Sequence, residues 1–218
     1  MNRLLFILSF LVFISGNTFG QSTNSSMELL REGSSKRKAK IENRMKSDKH
    51  NYWLGKVPVK DGIVTFERTI NVPNKSKEQI HDLMVSFANQ LVSSSEHPEV
   101  SQISVNDNTQ GIIIGSIQET MYFKRTKWET DYTEFYYQFT IDINDTSCKI
   151  TINNIQYRYE EQHEVDSSYL KAENWITDDE AFNKSKTKFL KEPGKFRRET
   201  IKRINEIFDS AEKSVKSN

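Results

Sequence analysis

Apolar and polar residues alternate along several stretches of the chain, and this alternation is typical of half-buried β-strands. The stretch 63–72 places Val64, Phe66 and Ile70 on one side, although Arg68 interrupts that apolar side. The stretch 130–144 is richer in aromatic residues. One of its faces is predicted to be core (Phe135, Tyr137, Phe139 and Ile141), and the opposite face carries Tyr132, Glu134, Tyr136, Gln138 and Thr140.

Three further stretches, 101–107, 111–123 and 147–159, complete the predicted sheet. Gly115 lies inside the second of them, which indicates a bulge or the close approach of a packing helix. In the third, the apolar parity shifts near Asn153–Asn154, as a β-bulge would make it. Asn144–Asp145 is a hairpin signal, so the strands before and after it are predicted to be antiparallel.

Helical periodicity appears first after Ser76, which with Gln79 forms a capping-box pattern. One apolar stripe follows at helical spacing, and His81 is predicted to lie on the polar side (stripe: Ile80, Leu83, Met84, Phe87 and Leu91). A second capping-box pattern, Thr177 with Glu180, predicts a short helix through Phe182 and Phe189 that ends at Pro193–Gly194. The last predicted helix has an apolar side made of Ile201, Ile204, Ile207, Phe208 and Ala211.

These elements predict an α+β fold, with a curved antiparallel sheet and helices packed on one face in the order strand, helix, strands, helix. The predicted α+β domain covers residues 53–160. Residues 161–218 are predicted to form an acidic loop and C-terminal helices that pack on or beside it. A chain of this length is expected to hold one domain with tails rather than two domains.

The first 20 residues have the pattern of a secretory signal peptide, with Arg3 before an apolar run and small residues before a cut at Gln21. The apolar run is about half the length that a membrane-spanning helix needs, so a retained anchor is the weaker alternative. The next segment, 21–52, is a basic, polar leader that is predicted to be flexible or weakly helical. The expected location is therefore the periplasm or cell envelope, or the exterior after secretion.

Charge and cysteine content narrow the function classes. The chain has 31 basic and 30 acidic side chains, and removal of residues 1–20 removes only Arg3 from these, so the remainder has a formal net charge of zero. That balance gives no overall attraction to nucleic acid or to an anionic membrane, and nucleic acid is not expected as a partner. The one cysteine, Cys148, cannot form an intramolecular disulfide, so stability must come from an ordinary core.

Several motifs together resemble a known family. The stretch "GIVTFERTINVPNKSKEQIHDLMVSFANQL" runs from a strand through a capped start into a helix, and "GIIIGSI" and the hairpin "YYQFTIDINDTSCKITI" follow it. The pattern is similar to exported proteins of Bacteroidetes-type bacteria that are described as a domain of unknown function with a TBP-like fold. The resemblance covers about residues 53–160. It implies a TBP-like sheet-and-helix fold and an envelope location, and it supplies no activity and no catalytic residues.

No residue pattern predicts a catalytic site, a metal site or a cofactor. The cluster Glu160, Glu161, His163, Glu164 and Asp166 is oxygen-rich, but a solvated acidic loop is the preferred interpretation. Asp142, Asn144 and Thr146 imitate the start of a calcium loop, yet Ser147 stands where that loop needs glycine, which favours a plain hairpin. Cys148 shares the parity of Ile150 and is expected to be a buried, inert thiol.

The exposed face of the sheet offers the best candidate site, composed of Trp128, Tyr132 and Tyr136. The alternative is that another strand or the acidic loop covers these rings. Exposed aromatic side chains of this kind often mark a contact with a sugar, peptide or protein. The sequence therefore favours a non-enzymatic exported domain that binds a protein, peptide or small ligand through its open sheet face. A structural or adaptor module of an envelope assembly is one alternative, and a hydrolase-like enzyme using the acidic loop is the other.

Overall fold

The computed structural model of this chain describes residues 19–159 and 169–217. These residues form two compact units that divide between Ser47 and Asp48. In the first unit, the leader is helical rather than irregular and belongs to α1 (Phe19–Asn51). This helix has no apolar stripe and carries ion pairs one turn apart, Lys36 with Glu32 (2.6 Å) and Lys46 with Glu42 (2.9 Å). The signal peptide lies almost wholly outside the described residues and stays a prediction.

None of the helices described is both long enough and apolar enough to cross a membrane. The second unit contains all the strands of the structure's described part, together with two helices and one turn of 3₁₀-helix. In chain order these elements are β1 (Val59–Lys60), β2 (Ile63–Val64), β3 (Phe66–Asn71), α2 (Lys77–Ser93), β4 (Gln102–Asp107), β5 (Ile112–Arg125), β6 (Thr130–Asn144), β7 (Ser147–Arg158), β8 (Leu170–Lys171), the 3₁₀ turn Ala172–Asn174, and α3 (Lys191–Lys216).

The main sheet is antiparallel throughout, with the strand order β3-β7-β6-β5-β4, and β8 pairs with the far end of β7. It is an open sheet, and β1 and β2 form a separate small hairpin. Since α2 and α3 contact each other and share one core with the sheet, both helices cover the same face. The α+β prediction, with helices packed on one face of an antiparallel sheet, is therefore confirmed.

The parity predictions for the central strands are also confirmed. All the residues assigned to the core face of β6 are buried, and Cys148 and Ile150 are buried opposite Ile143 and Ile141 of β6. The bulge in β7 is present, because the pairing of β6 with β7 shifts between Tyr136 and Gln138, and Asn154 adopts a left-handed φ of 51°. Asparagine tolerates that conformation better than most residues do.

Gly115 is required by a close approach, but the approaching group is not a helix. A Cβ at Gly115 would lie 2.5 Å from Cζ of Phe139 and 2.7 Å from the carbonyl oxygen of Gln102 in β4. Phe139 of β6 is the residue that pairs with Gly115 of β5. At the same level, the pairing of β4 with β5 shifts between Ile103 and Val105. The glycine therefore leaves the space that the Phe139 ring occupies beside β5.

Helix α2 begins as the sequence predicts. The Ser76 hydroxyl accepts a hydrogen bond from the Gln79 amide (3.3 Å), and the Gln79 side chain accepts one from the Ser76 amide (2.9 Å). The predicted polar position of His81 is wrong, because this side chain is buried. Helix α2 packs against α3 as well as the sheet, and its buried surface, which includes His81, is wider than one stripe.

The predicted helix through Phe182 and Phe189 is also wrong. These residues pair across an isolated β-bridge, with their ring centroids 4.5 Å apart, and Trp53 packs edge-on against both. Thr177 does not cap a helix, since its hydroxyl donates to the carbonyl oxygen of Glu173 (3.2 Å). Tertiary packing of aromatic rings has therefore overridden a local helical signal.

Pro193 and Gly194 lie inside the first turn of α3 rather than ending a helix. The first four amides of a helix have no partner within the helix, so a proline there removes no hydrogen bond. Gly194 is needed because Cβ of Phe189 would lie 2.7 Å from a Cβ at this position. The C-terminal segment is thus one long helix whose apolar side belongs to the same core as the sheet.

Candidate functional site

The face of the sheet opposite the helices carries a group of four tyrosines and one glutamate, which we call the tyrosine platform (Tyr122, Tyr132, Glu134, Tyr136 and Tyr169). Alternation along β6 places its three central members, Tyr132, Glu134 and Tyr136, on the same face. The pairing of β5 with β6 adds Tyr122, which lies opposite Tyr132. Tyr169 precedes β8, the short strand beside β7.

Glu134 is the polar centre of the platform. The hydroxyl of Tyr136 donates to Oε2 of Glu134, Nε2 of Gln118 lies 3.5 Å from the same oxygen, and Nη1 of Arg158 lies 3.8 Å from it. The phenol of Tyr136 has a strongly raised pKa, first because it is partly buried and then because it donates to Glu134 and lies beside Tyr169. Tyr136 is therefore a neutral hydrogen-bond donor at physiological pH.

The rings of the platform pack in two pairs. Tyr122 and Tyr132 have centroids 6.0 Å apart, and Tyr136 and Tyr169 meet edge to face at 5.3 Å. Tyr132 and Tyr169 remain 51% and 52% exposed, whereas Tyr136 is half-buried between Glu134 and Tyr169. The platform thus offers exposed aromatic surface on both sides of a fixed carboxylate.

The structure brings only two of the three predicted site residues together. Tyr132 and Tyr136 share the open face, as predicted, but Trp128 lies in the turn beyond the strand, at the tip of the hairpin between β5 and β6. Sequence reasoning missed three members, of which Glu134 was predicted on the exposed face but not as part of the site. The pairing of β5 with β6 could have revealed Tyr122, while no local pattern could have revealed Tyr169, which is distant in sequence and is positioned by β8.

A concave region lies on the helix side of the sheet. It is a cleft of about 280 Å³ between the end of α2, β5 and α3. At its floor Glu119 accepts two parallel hydrogen bonds from Arg203, both 2.7 Å long. The hydroxyl of Tyr137 is buried near this pair, and burial, together with the charge of Glu119, raises the pKa of Tyr137 well above its usual value. A bidentate pair of this kind neutralises both charges and joins α3 to the sheet.

The sequence offered three other chemical candidates: a metal site, a hairpin that resembles a calcium loop, and an acidic cluster. Within residues 19–159 and 169–217, no three histidine, cysteine or acidic side chains are grouped so that they could hold a metal ion. The hairpin at Asp142–Thr146 is a plain two-residue connection between β6 and β7. The predicted acidic cluster from Glu160 to Asp166 lies outside the described residues.

Cys148 is predicted to be inert towards thiol reagents in the folded protein. The side chain is fully buried, and burial raises the pKa of its thiol to about 11. At pH 8 only about one thiol in a thousand would be ionised, and that thiolate would also be inaccessible. We expect an aromatic disulfide reagent at pH 8 to label the native chain far more slowly than the chain unfolded in urea. Labelling at equal rates in the two states would contradict the buried position.

Comparison with known proteins finds a family model that matches the central part of the chain. Residues 66–158 match a family model described as a domain of unknown function (DUF4468) with TBP-like fold. The chain is similar to the crystal structure of a DUF4468 family protein from Bacteroides ovatus, with 29% identity over 78% of this chain and 96% of that one, at a TM-score of 0.71.

A TBP-like protein from Parabacteroides distasonis is similar in fold, with 21% identity over 74% of this chain and 97% of that one, at a TM-score of 0.61. A search of curated protein sequences finds no match to the chain. The comparisons therefore supply a fold and a family description, and any activity has to be argued from the site itself.

Proposed function

Residues 66–158 form a domain of the DUF4468 family with a TBP-like fold, and from that premise we propose that the protein is a non-enzymatic binding domain. Its ligand, a protein segment, a peptide or a small molecule, contacts the open face of the sheet at the tyrosine platform. The observation that carries this proposal is the arrangement of exposed tyrosine rings on both sides of Glu134, on the face that neither helix covers.

The platform has the chemical character of a recognition surface. Tyrosine and tryptophan rings supply rigid apolar contact area, and their polar ends supply hydrogen bonds. Amide side chains continue the same face, because Nδ2 of Asn154 donates to Oε1 of Gln138 (2.7 Å) beside Gln118 and Gln156. These groups both donate and accept hydrogen bonds, so they suit a ligand that does the same.

Two groups elsewhere in the domain support the non-enzymatic part of the proposal. Cys148 is a buried thiol with a raised pKa, which opposes a nucleophilic role. Glu119, in the cleft on the helix side, is neutralised by its bidentate pair with Arg203, which opposes a general-base role. The location that we propose, the periplasm or cell envelope, is supported by the signal-peptide pattern of residues 1–20.

The proposal is tested with defined ligand panels and two matched variants. The platform variant carries Tyr132→Ala and Tyr136→Ala. The control variant carries Thr140→Ala and Thr151→Ala, two positions that pair across β6 and β7 nearer the other end of the same face. Panels of peptides, oligosaccharides and amino acids are screened by thermal shift, and the affinity of each ligand that binds is measured for all three proteins.

We expect the platform variant to bind at least about tenfold more weakly, as loss of aromatic contacts at the centre of an interface does. The control variant is expected to keep the affinity of the unmodified chain. Circular dichroism verifies that the variants are folded. Ligands that bind the platform variant as tightly as the unmodified chain would show that the site lies elsewhere.

A further inference from the structure

The hairpin formed by β5 and β6 projects beyond the strands on both sides of it. Strand β7 pairs with β6 only as far as Glu134, which faces Arg158, and β4 pairs with β5 only as far as Ser116. The pairing of β5 with β6 continues to Arg125 and Thr130. The last residues of this hairpin, 124–130, therefore have no neighbouring strand within the described part of the chain, and we call them the hairpin tip.

The base of the hairpin tip is held firmly by α3. Nζ of Lys195 donates to Oδ2 of Asp131 (2.9 Å) and to the hydroxyl of Tyr159 (2.9 Å). The ring of Phe123 packs against that of Phe196, with centroids 4.5 Å apart. The hairpin tip thus extends from a fixed base, so its orientation is set by the folded domain.

The turn at the end of the hairpin tip is also ordered by its own hydrogen bonds. The amide of Thr126 donates to the carbonyl oxygen of Glu129 (2.9 Å), and the amide of Glu129 donates to the Thr126 hydroxyl (3.0 Å). Within this closed turn Trp128 is 88% exposed. A large aromatic side chain held out in water by an ordered turn forgoes the burial that stabilises such residues elsewhere.

The charge around Trp128 is positive. The hairpin tip carries three basic residues, Lys124, Arg125 and Lys127, and one acid, Glu129, which pairs with Lys124. Its net charge is therefore 3 − 1 = +2, although the whole chain is close to neutral. Arg125 lies over the ring of Tyr122 (4.8 Å) and Lys127 over that of Trp128 (5.3 Å), so the cations surround the aromatic surface.

We propose that the hairpin tip docks on the surface of a bilayer that contains anionic phospholipid. Tryptophan is enriched where a membrane meets water, because its ring is apolar and its N–H group still finds a polar partner there. Basic residues within the first few ångströms add attraction to anionic headgroups, about fivefold in affinity for each residue. This inference goes beyond the tyrosine platform and stands on different residues, so each proposal can fail alone.

The test follows Trp128 itself, because the basic leader and the apolar N-terminus could also bind vesicles. The full chain and its Trp128→Phe variant are mixed with vesicles of phosphatidylcholine alone or with phosphatidylglycerol added. The difference between their fluorescence spectra isolates Trp128 from Trp53 and Trp175, both partly buried. We expect a blue shift and protection from soluble quenchers on the vesicles with phosphatidylglycerol, and neither effect on phosphatidylcholine alone.

Two charge variants separate the hairpin tip from the leader. Arg125→Ser with Lys127→Ser should abolish the Trp128 response or weaken it about twentyfold or more. Arg37→Ser with Lys38→Ser removes the same charge from the exposed leader helix and should leave the response intact. Sedimentation with vesicles while Trp128 emission stays unchanged would overturn the proposal. An equal response to heparin in solution, or to the phosphatidylcholine vesicles, would also overturn it.

Discussion

Replacement of Arg197 by methionine is expected to lower the free energy of unfolding by about 3–5 kcal/mol, the range typical of removing one partner of a buried charged network. Arg197 is fully buried on α3. Its guanidinium donates to the carbonyl oxygens of Tyr52 (2.7 Å), Trp53 (2.5 Å) and Ile176 (2.6 Å), and to a carboxylate oxygen of Asp178 (2.7 Å).

The loss is large because methionine fills similar space but donates nothing. The carbonyl oxygens of Tyr52 and Ile176 would lose the donor that Arg197 provides, and each buried acceptor left without one costs about 1–3 kcal/mol. The carbonyl oxygen of Trp53 would keep only its bond from the Lys56 amide (3.2 Å). Burial lowers the pKa of Arg197, an effect that the charge of Asp178 opposes. The favourable contribution therefore comes from the complete set of hydrogen bonds, which join the segment after α1, the segment after the 3₁₀ turn and α3.

The measurement is urea unfolding followed by circular dichroism. An unchanged slope with a lower midpoint would indicate a loss of stability in the folded state. Lys202→Met, on an exposed position of the same helix, is the control and should change stability by less than about 0.5 kcal/mol. Arg197→Lys keeps the positive charge but lacks the planar guanidinium group, so its urea midpoint is expected to lie between those of Arg197→Met and Lys202→Met. A midpoint for Arg197→Met equal to that of Lys202→Met would contradict the argument.

Replacement of Gly115 by alanine is expected to lower the free energy of unfolding by about 3 kcal/mol, the upper end of the usual range for an overpacked core. The added Cβ would meet the Phe139 ring at 2.5 Å and the carbonyl oxygen of Gln102 at 2.7 Å. Neither neighbour yields easily, since Phe139 is buried and the carbonyl belongs to the backbone of β4.

A double-mutant cycle measures how much of the loss at Gly115 comes from the aromatic ring. Phe139→Leu alone should destabilise, and Gly115→Ala combined with Phe139→Leu should cost at least about 1 kcal/mol less than the sum of the single changes. Ser116→Ala, at an exposed neighbouring position on β5, should be nearly neutral. Strict additivity in the cycle would show that Phe139 is not the obstacle.

Local patterns determined much of the fold. The alternation in 130–144 and 147–159 correctly divided buried from exposed residues, because successive side chains of a strand point to opposite faces. The parity shift at Asn153–Asn154 located the bulge, and Ser76 with Gln79 located the start of α2. Each of these features depends on residues within a few positions of one another, so the sequence alone carries the signal.

The same local patterns could not identify most of the candidate site. Tyr132 and Tyr136 were predicted on the exposed face, but Tyr122 needs the register of β5 with β6. Identifying Tyr169 requires the position of β8 beside β7. Excluding Trp128 from the platform requires knowing that it lies in the turn beyond β6. A tyrosine or tryptophan has the same local sequence signal whether or not a distant ring lies beside it.

The sequence by itself determined the strand parities, the N-terminal cap of α2 and the antiparallel hairpin, since period and turn chemistry act over a few residues. The tertiary structure decided what happens at Arg197, His81, Phe182 and Phe189. Arg197 lies four residues before Ile201, on the same side of α3 as its apolar residues. Its charged side chain can be buried there because its partners include carbonyls 144 and 145 residues away. The physical reason is that burial of a polar group depends on where distant backbone brings its acceptors, which no local period encodes.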